Sequence, residues 1–311
     1  MDKIATVQGG GLQTRNLSPD LYAQYIAYLD AQPKTIETYT KALRQLFNYL
    51  SLNGITQPRR EDIIAFREEL KAAGRKPSTV QGYITAARLF FAWTEQAGLY
   101  PNITEHIKGA KIDRAHKKDY LTSPQVKAVL ENINRDTLQG LRDYAILTLM
   151  VTGGLRTIEV IRANIEDLRT IADSTALYVQ GKGREEKTEY VKISAPVEKA
   201  IRAYLKARGP AAPSAPLFTS QSNNSKGERL TTRTISGIVK QRLQAAGYDS
   251  DKLTAHSLRH TAVTLSLLAG KEITEVQQFA RHANIATTMI YNHALDQAKN
   301  SCSAAITAAI F

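Results

Sequence analysis

The sequence is poor in the residues that build covalent or metal frameworks. Its one cysteine, Cys302, excludes an internal disulfide scaffold and a Cys-rich metal site. Its place in a small-residue tail marks it as incidental. No apolar run reaches the length of a membrane span. No apolar segment follows Met1-Asp2-Lys3, so no secretory signal is expected. Internal repeats and low-complexity tracts are also lacking. Acidic residues are the scarcer charge, 29 against 41 basic ones, for a net charge of +12. That imbalance favours a polyanionic partner, nucleic acid first and an anionic membrane surface second. What remains is a soluble, cytoplasmic chain of 311 residues, long for one domain and comfortable for two. Its 43 % hydrophobic content can fill real cores.

Residues 1–17 show no pattern around Gly9-Gly10-Gly11. Ser18-Pro19 is a cap followed by a first-turn proline and starts a helix, with Leu21, Tyr25, Ile26 and Leu29 as its buried stripe. Three more helices are predicted, at about 33–52, 61–73 and 78–96, each closed by a glycine (Gly54, Gly74, Gly98). In the second, Ile36, Tyr39, Leu43, Leu46, Phe47 and Leu50 repeat at helical spacing. Its other side carries Lys34, Thr38, Lys41, Arg44 and Gln45. In the fourth, Val80, Ile84, Ala87 and Phe91 point in, while Gln81, Thr85 and Arg88 share the outer side. One such polar face reads as solvated. Two of them in a basic protein make DNA backbone contact the better reading. The stretch 99–120 loses apolar periodicity and gains cations, Lys111, Lys117 and Lys118 among them. It reads as a basic linker, either lying along phosphates or serving as a plain solvated tether.

A second domain opens at the cap Thr122-Ser123-Pro124. Helices are predicted at about 123–133 and 138–152, the latter apolar enough to be central, and Gly153-Gly154 breaks it. Another helix starts around Leu155-Arg156. Two strands, 176–180 and 188–193, flank the turn Gly181-Lys182-Gly183. Helices return at about 195–208, 231–246, 254–269 and 272–281. In the segment 253–261, His256 and Arg259 are three apart and share a helix face. Leu258, Ala262, Leu265 and Leu268 form the stripe that would seat this helix in a core. Alone, the segment reads as an ordinary helix start. His256 and His260 also stand at the i, i+4 spacing of a zinc pair, but no glutamate lies between and no cysteine or carboxylate completes a site. No metal and no cofactor is expected.

Arg156-x-x-Glu159, Gly181-Lys182-Gly183, His256-x-x-Arg259-His260-Thr261 and His282-x8-Tyr291 follow in the order of the tyrosine recombinases. The chain resembles the Xer-type recombinases and the phage and transposon integrases from about Ser18 onward, and Thr287-Thr288 and His293 add to the match. Each motif is weak alone; their order and separation carry the resemblance.

The resemblance implies a mainly α fold: an N-terminal four-helix, SAM-like core-binding domain (18–98), the linker (99–120), a C-terminal α+β catalytic domain with a small β-hairpin sheet (121–292), and a C-terminal helix (293–311). It implies that Tyr291 attacks a phosphodiester, forming a 3′-phosphotyrosine and freeing a 5′-hydroxyl. Arg156 and Arg259 would clamp the phosphate, a role that suits the planar fork and permanent charge of arginine. Lys182 would protonate the leaving oxygen, His256 would assist proton transfer at the tyrosine, and His282 would hydrogen-bond the phosphate. Glu159 would orient the arginine region, and His260 would pack behind the helix. The implied partners are double-stranded DNA with inverted half-sites, three further copies joined through the C-terminal helix, and in some systems a sister recombinase or accessory protein. Folding back in cis is the other reading of that helix. The resemblance departs at Arg281, which stands where many members carry glycine and would either crowd the site or add a phosphate contact. The short N-terminus leans toward an Xer-like or transposon recombinase. Two other readings stay open: a type IB topoisomerase-like enzyme that needs no partner site, and a DNA-binding protein that keeps the fold without the chemistry.

Overall fold

The structure, a computed structural model, describes residues 6–8, 11–13, 19–111, 119–181, 183–299 and the positions 302, 306, 307 and 310. For 6–8, 11–13, 19–22 and 293–299 it describes the backbone alone. The chain divides into two compact units, 1–114 and 115–311.

The first unit opens with a two-stranded antiparallel ladder, β1 (Thr6–Gln8) and β2 (Gly11–Gln13), with Val7 opposite Leu12. This corrects the reading of 1–17 as patternless. Four helices follow: α1 (Pro19–Leu29), α2 (Pro33–Leu52), α3 (Arg60–Ala72) and α4 (Pro77–Gln96). Pro33 and Pro77 sit in the first turns of α2 and α4, where the missing N–H costs nothing. The foreseen stripes are buried: Leu43, Leu46, Phe47 and Leu50 from α2 meet Val80, Ile84, Ala87 and Phe91 from α4, with Ile63 and Phe66 from α3.

The stretch expected to be a basic linker is docked over its first half. Ile107 is buried in the same core, and Leu99, Tyr100 and Ile103 pack on it. The Tyr100 hydroxyl donates to the Pro58 carbonyl at 2.8 Å, and Arg67 donates to the Lys108 carbonyl at 2.6 Å. These apolar residues fall at irregular intervals in a segment that turns at 103–106, so no periodicity betrays them. Lys117 and Lys118 lie outside the described residues.

The second unit is built round α6 (Leu138–Gly153), whose Ala145, Ile146, Leu149 and Met150 are fully buried. Around it lie α5 (Ser123–Glu131), α7 (Thr157–Arg162), α8 (Ala195–Arg208), α9 (Thr232–Ala245) and α10 (Ala255–Leu268). The sheet has three antiparallel strands in the order β3 (Leu168–Ile171), β4 (Ser174–Val179), β5 (Glu189–Ile193). Sequence reading found the β4–β5 hairpin and missed β3, a four-residue strand too short for an alternation signal. The buried face of α10 runs through Leu258, Ala262, Val263 and Leu267. Leu268, expected in that stripe, is 43 % exposed. Last come α11 (Ile273–Ala280) and α12 (Ile285–Lys299). One continuous helix, α12, carries Tyr291 and runs on past it through position 293. Its start is marked by Asn284, whose side chain accepts from the Ala286 N–H at 2.8 Å.

Gly154 closes α6 in the left-handed region (φ 58°), and a Cβ there would stand 3.1 Å from the Phe279 ring. Gly154→Ala is therefore expected to cost about 2 kcal/mol. Thermal unfolding should show a drop of several degrees; an unchanged midpoint would refute the argument.

Candidate active site

The break at Gly154 sets Arg156 at the start of α7, and the Glu159 carboxylate folds back over it. Glu159 accepts from the Arg156 backbone N–H at 2.9 Å and from its guanidinium at 2.8 Å. Glu159 is fully buried. Burial works to raise its pKa, but Arg281 and then Arg156 outweigh that and hold the carboxyl below its usual range.

From α10, Arg259 enters the same region with only 1 % of its surface exposed. It donates to the Gly154 carbonyl at 2.6 Å and to the Ala280 carbonyl. Burial, then the neighbouring Arg156 and Arg281, push its pKa down to about 9. It stays charged at neutral pH.

His282 follows α11. Its Nδ1 lies 2.8 Å from the Thr288 hydroxyl, and it is nearly buried. Burial, then Arg259, Arg156 and Arg281, bring its pKa down to about 4, so the ring is neutral at physiological pH. The unfolded ring titrates near 6.5, so between those values the unfolded chain binds the extra proton. The stability from this neutral ring is complete above 6.5 and is lost as pH falls from there toward 4, up to about 3 kcal/mol. His282→Gln should flatten that acid limb of the melting curve; an identical limb would contradict the assignment.

Tyr291, on α12, is 4 % exposed and packs with Val263, Leu267, Val276 and Ala280. Its ring centroid lies 4.6 Å from that of His260, edge-on, and 6.2 Å from that of His282. Burial raises its pKa, while Arg259 and Arg156 act to lower it. His260 thus packs directly on Tyr291, and Tyr120 packs edge-on against His260 at 5.8 Å. His256 is exposed at the first turn of α10, close enough to count among the charges acting on His282. Lys182 lies outside the described residues. Its neighbour Gly181 lines an open cleft of about 680 Å³, together with Arg156, Arg184, Tyr190, Arg281 and His282.

Residues 119–298 match the model of the phage integrase family, and residues 8–98 match that of the phage integrase N-terminal SAM-like domain. The chain is 30 % identical over 283 residues to the tyrosine recombinase XerC of Herpetosiphon aurantiacus, covering 87 % of this chain and 89 % of that protein. It is 29 % identical over 277 residues to a tyrosine recombinase of Synechocystis sp., covering 84 % and 86 %. The chain belongs to the phage integrase family of tyrosine recombinases. In fold it is similar to a XerH site-specific recombinase bound to a palindromic difH substrate, a post-cleavage complex (TM-score 0.73, 22 % identity, 92 % of this chain and 84 % of that one). It is similar too to a lambda integrase dimer bound to a core site (TM-score 0.66, 17 % identity, 86 % and 94 %).

Of the six residues singled out by sequence, the recombinase fold brings Arg156, Arg259, His282 and Tyr291 together. The Thr288 partner of His282 and the placement of Arg281 were not foreseen. Arg281 lines the cleft, and its guanidinium turns inward to Glu159 at 2.9 Å. Its left-handed backbone (φ 54°) is the signal that a glycine could fill this position.

In the first unit, Lys34, Thr38, Lys41, Arg44 and Gln45 lie exposed along α2. Glu37 sits among them, bonded to Lys34 at 2.6 Å and to Lys41 at 2.5 Å, so two of those cations already share an acid. On α4, Gln81, Thr85 and Arg88 are half-buried, and Lys111 is exposed.

Proposed function

We propose that this recombinase cuts and rejoins duplex DNA through a 3′-phosphotyrosine at Tyr291. The observation that carries the reading is the convergence of Arg156, Arg259 and His282, from three separate segments, around a tyrosine that sequence order alone had singled out. The phenol oxygen attacks phosphorus, the bond to the 5′ oxygen breaks, and that oxygen leaves as a hydroxyl after taking a proton. Lys182, of the Gly181-Lys182-Gly183 motif, is the donor. Arg156 and Arg259 hold the non-bridging oxygens, where charge builds as phosphorus takes a fifth ligand. A neutral His282 adds a hydrogen bond, and His256 relays the tyrosine proton. The covalent bond conserves the phosphodiester energy, so rejoining is the reverse step and needs no nucleotide.

The enzyme acts as a tetramer on two sites with inverted half-sites, exchanging strands through a four-way junction, as an Xer-like or transposon recombinase. The exposed, apolar Ile306 and Ile310, at helical i, i+4 spacing near the C-terminus, support docking on a neighbouring copy. The polar faces of α2 and α4 and the cation Lys111 contact the DNA backbone.

The test is covalent capture on nicked duplexes drawn from the flanks of the gene's own element or the host's resolution site. A denaturant-resistant adduct, insensitive to chelator, with DNA attached at residue 291 in the digested peptide, is the expected result. Sequence-specific binding to the native site without any adduct would favour a non-enzymatic DNA-binding protein.

A further inference from the structure

The least expected side chain in the site is Arg281. Its backbone lies in the left-handed region, where any residue but glycine is strained. Its Nε is buried without a partner, a second cost. Against these stand the bonds of its other two nitrogens. Nη1 donates to the Phe279 carbonyl at 2.8 Å. Nη2 donates to the Gly154 carbonyl at 3.1 Å and to Glu159 Oε2 at 2.9 Å. Its own carbonyl accepts from Arg156 Nη2 at 3.1 Å. Arg281 therefore grips Arg156 twice, directly through its backbone and indirectly through Glu159.

The charges give this arrangement a consequence. Glu159 lies 2.8 Å from the Arg156 guanidinium. With glycine at 281, that one carboxylate would cancel the charge of Arg156 as seen by a bound anion. With Arg281 on its other oxygen, the same carboxylate is shared between two cations. Arg156, Arg259, Arg281 and Glu159 then sum to +2 rather than +1. A phosphodiester carries one negative charge, and attack by an ionised phenol brings a second into the transition state. The extra positive charge thus acts more on the transition state than on bound substrate.

We propose that Arg281 is a positioning residue of the cleavage site, one that shares Glu159 with Arg156 so that Arg156 is anchored without being neutralised. It touches no substrate and acts through Glu159. The inference rests on the reading of Tyr291 as nucleophile.

The test uses the full-length chain on a nicked duplex that captures the adduct. It measures the first-order rate of adduct formation and the affinity for DNA separately. Arg281→Gln removes the charge and should slow adduct formation about tenfold to thirtyfold, with affinity changed less than about twofold. Arg281→Lys should recover most of the rate. Adding Glu159→Gln to Arg281→Gln should also raise the rate, because the unshared negative charge is gone. Arg281→Gly, free of backbone strain, gives the same comparison if the glutamine variant folds poorly. The inference is overturned by unchanged rates, by rate losses that follow melting temperature or DNA affinity, or by a double variant slower than Arg281→Gln. A wild-type chain that forms no adduct at Tyr291 overturns the nucleophile reading, and this inference with it; adduct formation indifferent to Arg281 overturns this inference alone.

Discussion

Tyr291→Phe is expected to bind its DNA site as the wild type does and to form no covalent adduct. The substitution removes one oxygen and leaves the ring. That ring contributes the packing: it is 4 % exposed in a cluster with Val263, Leu267, Val276 and Ala280, and meets the His260 ring edge-on. Melting should shift by no more than the equivalent of about 1 kcal/mol, the worth of one hydrogen bond. The chemistry cannot survive, because phenylalanine has no atom to bond to phosphorus. Loss of a covalent nucleophile costs on the order of 10³-fold or more. Burial alone makes Tyr291 a weaker acid than a free tyrosine, and Arg259 and Arg156 oppose that. Denaturing gels beside filter binding make the comparison. An adduct retained by Tyr291→Phe would place the nucleophile elsewhere.

The second large effect is expected from Arg259→Ala, and it has two parts. Arg259 is 1 % exposed, and its fork holds the Gly154 and Ala280 carbonyls. It thereby ties the end of α6 to the end of α11. Truncation takes the side-chain donor from the Ala280 carbonyl, leaves the Gly154 carbonyl to Arg281 alone, and opens a cavity, a loss of about 3 kcal/mol. Burial of the charge and then repulsion from Arg156 and Arg281 depress the Arg259 pKa to about 9, and their relief offsets part of that. The second part is catalytic. Removing one of two fixed cations at the developing charge should slow adduct formation by on the order of 10³-fold. Arg259→Lys separates the two, since it keeps a charge but not the planar fork. It should melt between wild type and Arg259→Ala and recover only part of the rate. Cleavage by folded Arg259→Ala within tenfold of wild type would remove Arg259 from the phosphate clamp.

Both variants concern residues that one-dimensional motifs had already singled out, and the helices that carry them were legible for the same reason. Helical periodicity, first-turn prolines at Pro19 and Pro124 and terminal glycines at Gly54, Gly74 and Gly98 are local signals, set by neighbours three or four residues away. The order Arg156, Lys182, His256, Arg259, His282, Tyr291 is likewise a property of the chain alone. Those features the sequence by itself determined: two helical units, the β4–β5 hairpin, and the family. Only the tertiary structure decided the docking of residues 99–111, the third strand at Leu168–Ile171, the burial of Tyr291 against His260 in the middle of α12, and the turning of Arg281 onto Glu159, 122 residues away. These depend on which surfaces meet when distant segments pack. An arginine in a left-handed cap has no reason to point inward until a buried carboxylate from another helix is there to receive it.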